Sequence, residues 1–352
     1  MTALGDLLIA RIARTGPISL ADYMADCLMH PQHGYYATRD PFGATGDFIT
    51  APEISQMFGE LVGLALAQAW MDQGQPTGIV LAELGPGRGT LMADALRATK
   101  AVPGFHDALS VHLVETSPTL RKAQAALIPD ATWHDSVSTL PDAPLFLIAN
   151  EFFDALPIRQ FIRDADGWRE KMVGVSDGAL SMGLSAAAPI ALLEDRLSDT
   201  NDGDLVEHCP ALPFIASSIS TMIEAQGGCA LIIDYGDWVS LGDTLQALKA
   251  QEHIDPLTTP GEADLTAHVD FAAIAAQTGA AKFSRLTGQG VFLERLGITQ
   301  RAQTLAPKLS GDTLTSHIAA HRRLTHPAEM GELFKVISIY PSTATPPPGL
   351  EP

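Results

Sequence analysis

The chain runs to 352 residues, with 22 basic against 41 acidic side chains, a formal charge of -19, and 46% hydrophobic against 18% charged residues. That apolar content excludes a disordered chain, and the acidic sum argues against gripping a nucleic-acid backbone while suiting cationic protein partners. At roughly 100–200 residues per domain, the length fits two domains or one large α/β domain carrying an insertion.

In chain order, Leu4 to Ala13 has helical periodicity, and Ser19 to Met29 repeats it with Ser19 as an N-cap. The stretch from His30 to Thr50 is rich in Gly, Pro, Asp and Thr, too long for a plain connector, and is expected to act as a functional lid. A helix is expected from about Pro52 through Trp70. The pattern then alternates: strand Ile79 to Leu84, helix Thr90 to Thr99, strand Val111 to Glu115, helix Ser117 to Leu127, strand Ala131 to His134 and strand Leu145 to Ala149. Strands separated by helices argue for a parallel, doubly wound α/β sheet. Between Pro157 and Pro210 the pattern changes to two antiparallel strands, Arg169 to Val175 and Ala179 to Leu184, then an acidic, polar stretch from Glu194 to Glu207. Helix Ala211 to Gln226 and buried strand Cys229 to Tyr235 restore the core, with further strands at Lys282 to Leu286 and Phe334 to Ile339. The reading gives a helical N-terminal region (1–75), the first part of the core (76–156), an inserted cap (157–210), the rest of the core with C-terminal elements (211–340) and a disordered end (341–352).

Cys27, Cys209 and Cys229 are odd in number and far apart, which rules out a disulfide framework or a four-thiolate zinc site. No apolar run approaches the roughly 18–20 residues of a membrane span. Asp6, Arg11 and Arg14 in the first sixteen residues do not make a signal or transit peptide, so a cytoplasmic location is expected. His317-x-x-x-His321 lacks the glutamate of a zincin helix and His30-Pro-Gln-His33 lacks cysteine partners, so no metal is expected.

The strongest local signal is V-L-A-E-L-G-P-G-R-G-T, Val80 to Thr90. A strand that ends in Gly85-x-Gly87-x-Gly89 and opens a helix lets a ligand approach the backbone. The spacing is G-x-G-x-G, preceded by Glu83, rather than the G-x-G-x-x-G of dinucleotide binders. It is the usual form where the ligand is S-adenosyl-L-methionine, which makes Glu83, Gly85, Pro86, Gly87, Gly89 and Thr90 the candidates for that cofactor; the alternative is a tight strand-to-helix turn that simply needs glycine. Glu115, ending the second strand, stands where a carboxylate accepts ribose hydroxyl protons. Asp135 and Ser136, after the third strand, stand either to meet an adenine amino group or as a plain loop. Asn150-Glu151-Phe152-Phe153-Asp154 follows the fourth strand. If a helical turn begins there, Glu151 and Asp154 share one face and can hold a guanidinium bidentately, with Asn150 beside them.

Taken together, G-D-F-I-T-A-P-E-I-S-Q-M-F-G-E (Gly46 to Glu60), E-L-G-P-G-R-G-T (Glu83 to Thr90), H-L-V-E-T-S, N-E-F-F-D-A-L-P (Asn150 to Pro157), D-Y-G (Asp234 to Gly236) and D-L-T-A-H-V-D-F (Asp264 to Phe271) resemble the MidA-like family. These are class I S-adenosyl-L-methionine-dependent methyltransferases with a Rossmann-like fold, and they include a mitochondrial assembly factor of respiratory complex I. The likeness runs from about Ile18 to Ile339. It implies protein arginine methylation, namely symmetric ω-N dimethylation in the 49-kDa-type quinone-site subunit of complex I. It matches Asp47 and Thr50 to a loop folding over the cofactor, Asn150, Glu151 and Asp154 to the catalytic acidic motif, and Tyr235, His268 and Asp270 to the substrate side. The family usually has Gly-His where this chain has Ala250-Gln251, and a serine where it has Ala51. Other readings stay open at this stage: a cofactor-binding assembly chaperone without transfer, a small-molecule methyltransferase, a nicotinamide oxidoreductase that the glycine spacing disfavours, and a homo-oligomer.

Overall fold

A computed structural model describes residues 2–38 and 50–352. Its central sheet contains β1 (Ile79–Leu84), β2 (Leu109–Val114), β3 (Thr132–His134), β4 (Leu145–Asn150), β5 (Gly228–Asp237), β6 (Lys282–Phe283) and β7 (Phe334–Tyr340). The order across it is β6-β7-β5-β4-β1-β2-β3, with Val269–Asp270 added to the end of β5 and Thr287–Gly288 to β7. Neighbours among β1 to β5 pair in parallel, whereas β7 runs antiparallel to both β5 and β6. The chain leaves β1 toward β2 and β3, then returns to the other side with β4 and β5. That reversal is the switch point of a doubly wound, Rossmann-like sheet, where ligands bind beyond the strand ends.

Register brings the site residues to one edge. Leu84 lies beside both Val114 and Ala149, and Ile233 beside Asn150. The strands are apolar on both faces: Ile79, Leu81, Leu231 and Ile233 join one cluster, and Val80, Ala82, Leu84, Ala230 and Ile232 join the other. Burial on two sides is why they read as continuous apolar runs.

Helices α1 (Ala3–Thr15), α2 (Leu20–Met29), α3 (Gln56–Asp72), α4 (Thr90–Thr99), α5 (Pro118–Leu127) and α6 (Leu212–Gln226) lie close to the expected bounds. Ser19 caps α2 by accepting from Asp22 N at 3.0 Å. The helix expected from Pro52 is in fact broken. Ala51–Ile54 forms its own turn, and Ser55 adopts extended backbone (φ -159, ψ 134) and caps α3. α3 is apolar almost all round and sits in the same cluster as β1. A Cβ on Gly63 would come within 2.6 Å of Ala95 Cα, so glycine sets how closely α3 packs on α4. Glu60 of α3 receives Arg97 Nη1 at 2.8 Å and Arg301 Nε at 2.7 Å, tying α3 to α4 and to the helix Ile298–Leu305.

The inserted region carries more strand than expected. Gly167–Ser176 and Ala179–Leu184 pair as foreseen, but Arg159–Asp164, Leu205–His208 and Ile18–Ser19 complete a five-stranded sheet. Leu205–His208 was hidden inside the stretch read as acidic and polar. A further small sheet joins Gln246–Lys249, Glu252–Ile254 and Asp264–Thr266. The closing segment, expected to be disordered, is packed instead: Ser342 Oγ donates to Glu224 Oε1 at 2.6 Å, and Leu350 is 8% exposed in the main core. Its five prolines and one glycine keep it out of regular structure without keeping it off the surface of the fold.

Candidate functional site

A cavity of about 800 Å³ opens beyond the ends of β1, β2, β4 and β5. The glycine turn forms one wall. Gly85 N donates to Val114 O at 3.0 Å, and Gly89 N to Pro86 O at 2.7 Å. Gly85, Gly87 and Gly89 have φ of 60, 52 and 87°, a region costly for residues with a Cβ. A Cβ on Gly85 would meet Phe152 Cδ2 at 2.9 Å. Gly89 precedes α4 and lies off the cavity wall, where a Cβ would meet Ile128 Cδ1 at 3.3 Å and Gln124 Cγ at 3.4 Å. Thr90 Oγ1 donates to Glu53 Oε1 at 2.5 Å. Glu83 is 3% exposed; burial pushes its carboxyl up to about 8 although Met92 N donates to it, and its Oε2 has no hydrogen-bond partner.

Glu115 lies at the end of β2, its carboxylate accepting from Ser117 N at 2.7 Å and Gln124 Nε2 at 3.4 Å. Burial raises its carboxyl above the ordinary range. The cap of α5 is Ser117, which leaves Glu115 facing the cavity. Asp135 and Ser136 line the same rim, but both have other work. Asp135 is paired with Arg121 Nη2 at 2.5 Å, and Ser136 caps the turn Val137–Thr139.

The acidic segment after β4 does not begin a helical turn. Glu151 takes the left-handed conformation (φ 50°), and the next three amides converge on one oxygen of Asp234. Glu151 and Asp154 nevertheless both reach the cavity with Asn150. Glu151 Oε1 accepts from Ala51 N at 3.0 Å and Asn150 Nδ2 at 3.1 Å. Because Ala51 contributes only a backbone N–H, its replacement of the family's serine leaves this link intact. Burial pushes Glu151 up to about 7 and Asp154 up to about 6, with a hydrogen bond from Tyr235 opposing the rise at Asp154. Asn150 Oδ1 and Asp154 Oδ1 are buried without partners.

The remaining expected residues divide. Thr50 and Tyr235 line the cavity. His268 instead packs edge-on behind Tyr235, ring centroids 5.2 Å apart, and Asp270 caps the helix Phe271–Ala275 while accepting from Ser240 N at 3.0 Å. Neither reaches the cavity wall. Asp47 lies outside the described residues. Ala250 and Gln251 form the two-residue tip between Gln246–Lys249 and Glu252–Ile254 with φ of 52 and 64°, the conformation that explains a glycine in the family pattern. Tyr36 and Asp264 were missed; Tyr36 Oη donates to Asp264 Oδ1 at 2.8 Å across the cavity wall. Asp264 opens the quoted D-L-T-A-H-V-D-F string, so the signal was present without its direction. His317 Nε2 is hydrogen-bonded to Ala302 O at 3.0 Å, and among the described residues no His, Cys, Asp or Glu group is arranged to hold a metal.

Three buried acceptors without partners, Glu83 Oε2, Asn150 Oδ1 and Asp154 Oδ1, belong to residues that line one cavity. Each costs about 1–3 kcal/mol unless a ligand donor meets it. An open glycine turn, a carboxylate at the end of β2 and these acceptors fit a ligand bearing hydroxyl and cationic N–H donors.

The family model for S-adenosyl-L-methionine-dependent methyltransferases matches residues 61–288. The protein arginine methyltransferase NDUFAF7, mitochondrial, of Xenopus laevis is 36% identical over 374 residues, spanning 96% of this chain and 84% of the relative. The Drosophila melanogaster homolog is 38% identical, spanning 96% and 85%. A Burkholderia thailandensis structure bound to S-adenosyl-homocysteine is 30% identical with a TM-score of 0.83, over 99% of this chain and 94% of its own. No helix among the described residues is long and apolar enough to cross a membrane.

Proposed function

This chain belongs to the S-adenosyl-L-methionine-dependent methyltransferase family, the MidA-like class I group that includes NDUFAF7, and from that premise we propose that it methylates an arginine side chain of a partner protein. The observation that carries the reading is the set of unpartnered acceptors on Glu83, Asn150 and Asp154 beside an open glycine turn. When bound, S-adenosyl-L-methionine supplies an electrophilic methyl group on a sulfonium. In this reading Glu83, Gly85, Pro86, Gly87 and Thr90 hold its amino-acid end, and Glu115 accepts its ribose hydroxyls. Ser136, with the Arg121-tethered Asp135, bounds the adenine side.

The nucleophile is the harder part. A guanidinium is protonated at neutral pH and nucleophiles need a free lone pair. Asp154 Oδ1 offers an acceptor to the planar N–H fork, and Asn150 Oδ1 offers a second. Glu151 is already held by Ala51 N and Asn150, so its carboxylate is oriented before substrate arrives. Carboxyls titrating at about 7 and about 6 can take the proton that leaves as the new N–C bond forms. His268 and Asp270 support Tyr235 and the helix behind it.

The finer reading is symmetric ω-N dimethylation of the quinone-site subunit of complex I, in support of its assembly. The naming of the relatives as protein arginine methyltransferases supports arginine as the target, and the subunit and the symmetric product rest on the family resemblance. The test is isotope transfer from labelled S-adenosyl-L-methionine to the host's own unassembled subunit, with site mapping by mass spectrometry and Gly87→Val as the blank. Label on one arginine, absent with Gly87→Val, is the expected result. Cofactor binding without label on arginine would overturn it.

A further inference from the structure

Asp234, near the end of β5, is fully buried and does not line the cavity. Its Oδ2 accepts from the amides of Phe152, Phe153 and Asp154 at 3.2, 3.0 and 3.3 Å, and its Oδ1 from Tyr235 N at 2.9 Å. Directly before this cluster Glu151 N donates to Ile233 O at 2.9 Å and the chain turns through a positive φ. A left-handed residue with a Cβ persists only where its surroundings hold it, at a cost of about 1–3 kcal/mol. The three gathered amides supply that hold. The same turn carries Phe152, whose ring fills the space next to Gly85.

We propose that Asp234 is a positioning residue for methyl transfer: by gathering three successive amides it fixes the turn that presents Asn150, Glu151 and Asp154 to the cavity. The inference rests on the methyltransferase reading of that cavity and adds a residue that touches neither ligand. Three amides on Oδ2 and one on Oδ1 favour the carboxylate, whereas burial and the neighbouring Asp154 and Glu151 push its carboxyl well above the ordinary range, so the ionisation of Asp234 is linked to that of the two acids it positions. The titratable groups next to it are Glu151, Asp154 and Tyr235, with Lys335 its cross-strand neighbour; Arg323 acts on Glu151 and Asp264 on Tyr235. Because the three acids oppose one another's ionisation, removing the Asp234 carboxyl moves the midpoints of Glu151 and Asp154 down, a change that a purely structural support would not produce.

The experiment compares the full-length wild type with Asp234→Asn, which keeps the shape but loses the carboxyl. S-adenosyl-homocysteine affinity is expected to stay within about threefold, with kcat on the arginine substrate down at least about tenfold. Carboxyl NMR titration should show the Glu151 and Asp154 midpoints about half a pH unit lower or more. Combined with Asp154→Asn, the loss in kcat should be less than additive, since both changes act on one turn. Unchanged midpoints with unchanged kcat overturn the proposal. If Asp234→Asn does not fold, Asp234→Glu keeps the carboxyl and displaces the oxygens; wild-type kcat there overturns it equally. A wild type that binds cofactor but does not methylate arginine overturns the functional reading instead, and the titration still decides the role of Asp234.

Discussion

Glu60 and the cavity carboxylates Glu83 and Asp154 are buried to a similar degree, at 2%, 3% and 6% exposure, but only Glu60 is met by guanidinium groups. Burial alone would raise Glu60; Arg301 and Arg97 hold it below the ordinary carboxylate range. Burial raises Glu83 and Asp154 with no cation of the protein bonded to them, and each keeps an oxygen unpartnered. A buried acid neutralised by the protein's own cations ties elements together. A buried acid left without one stores an unmet demand for a donor, and two such acids with the amide oxygen of Asn150 on one cavity mark where a ligand belongs.

The comparison breaks if the two kinds of acid respond alike to substitution. The largest effect is expected at Asp154→Asn: methyl transfer falls by about 10²–10⁴-fold while thermal stability holds or rises, checked by isotope transfer and calorimetry. Next comes pH. With Asp154 at about 6 and Glu151 at about 7 and both needed ionised, transfer should level off above about pH 7, fall roughly tenfold per unit from there to about pH 6, and fall more steeply below, in a kcat/KM profile. Stability runs the other way. The folded-state carboxyl of Asp154 lies above its unfolded value, so its contribution is full at low pH and is lost as pH rises through the interval up to about 6. Wild type should therefore lose stability relative to Asp154→Asn between about pH 4 and pH 7 in urea unfolding. Glu60→Gln should do the reverse of Asp154→Asn. It costs about 1–3 kcal/mol, less than a fully buried pair because Arg97 and Arg301 are 46% and 36% exposed and rehydrate, and it leaves kcat intact. The smallest effect, about 1 kcal/mol, is expected for Ser117→Ala, which removes the cap of α5 and the 2.8 Å bond to Tyr36 O.

Much of the site was legible because β1, β2 and β4 end where their apolar runs end, and a parallel sheet delivers those ends to one edge. Glu83, the glycine turn, Glu115 and Asn150 follow from that alone. Where the reading erred, it had assumed local regularity. N-E-F-F-D looked like the start of a helical turn because its acids are three apart; instead the amides of that segment are taken by a carboxylate about eighty residues later in the chain. Asp270 and His268 looked like substrate groups because they share a motif, yet one caps a helix and the other backs a tyrosine.

The sequence by itself determined the sheet, its switch point and the chemistry available at the strand ends, since hydrophobic period and glycine placement act within a few residues. Only the tertiary structure decided which acids are neutralised and which are left waiting. Compensation depends on partners distant in the chain: Arg301 for Glu60, Tyr235 for Asp154, and three amides for Asp234. Those partners meet only when α3, β4 and β5 have packed. Burial, which raises the cavity carboxyls, belongs to the folded chain and to no single segment of it.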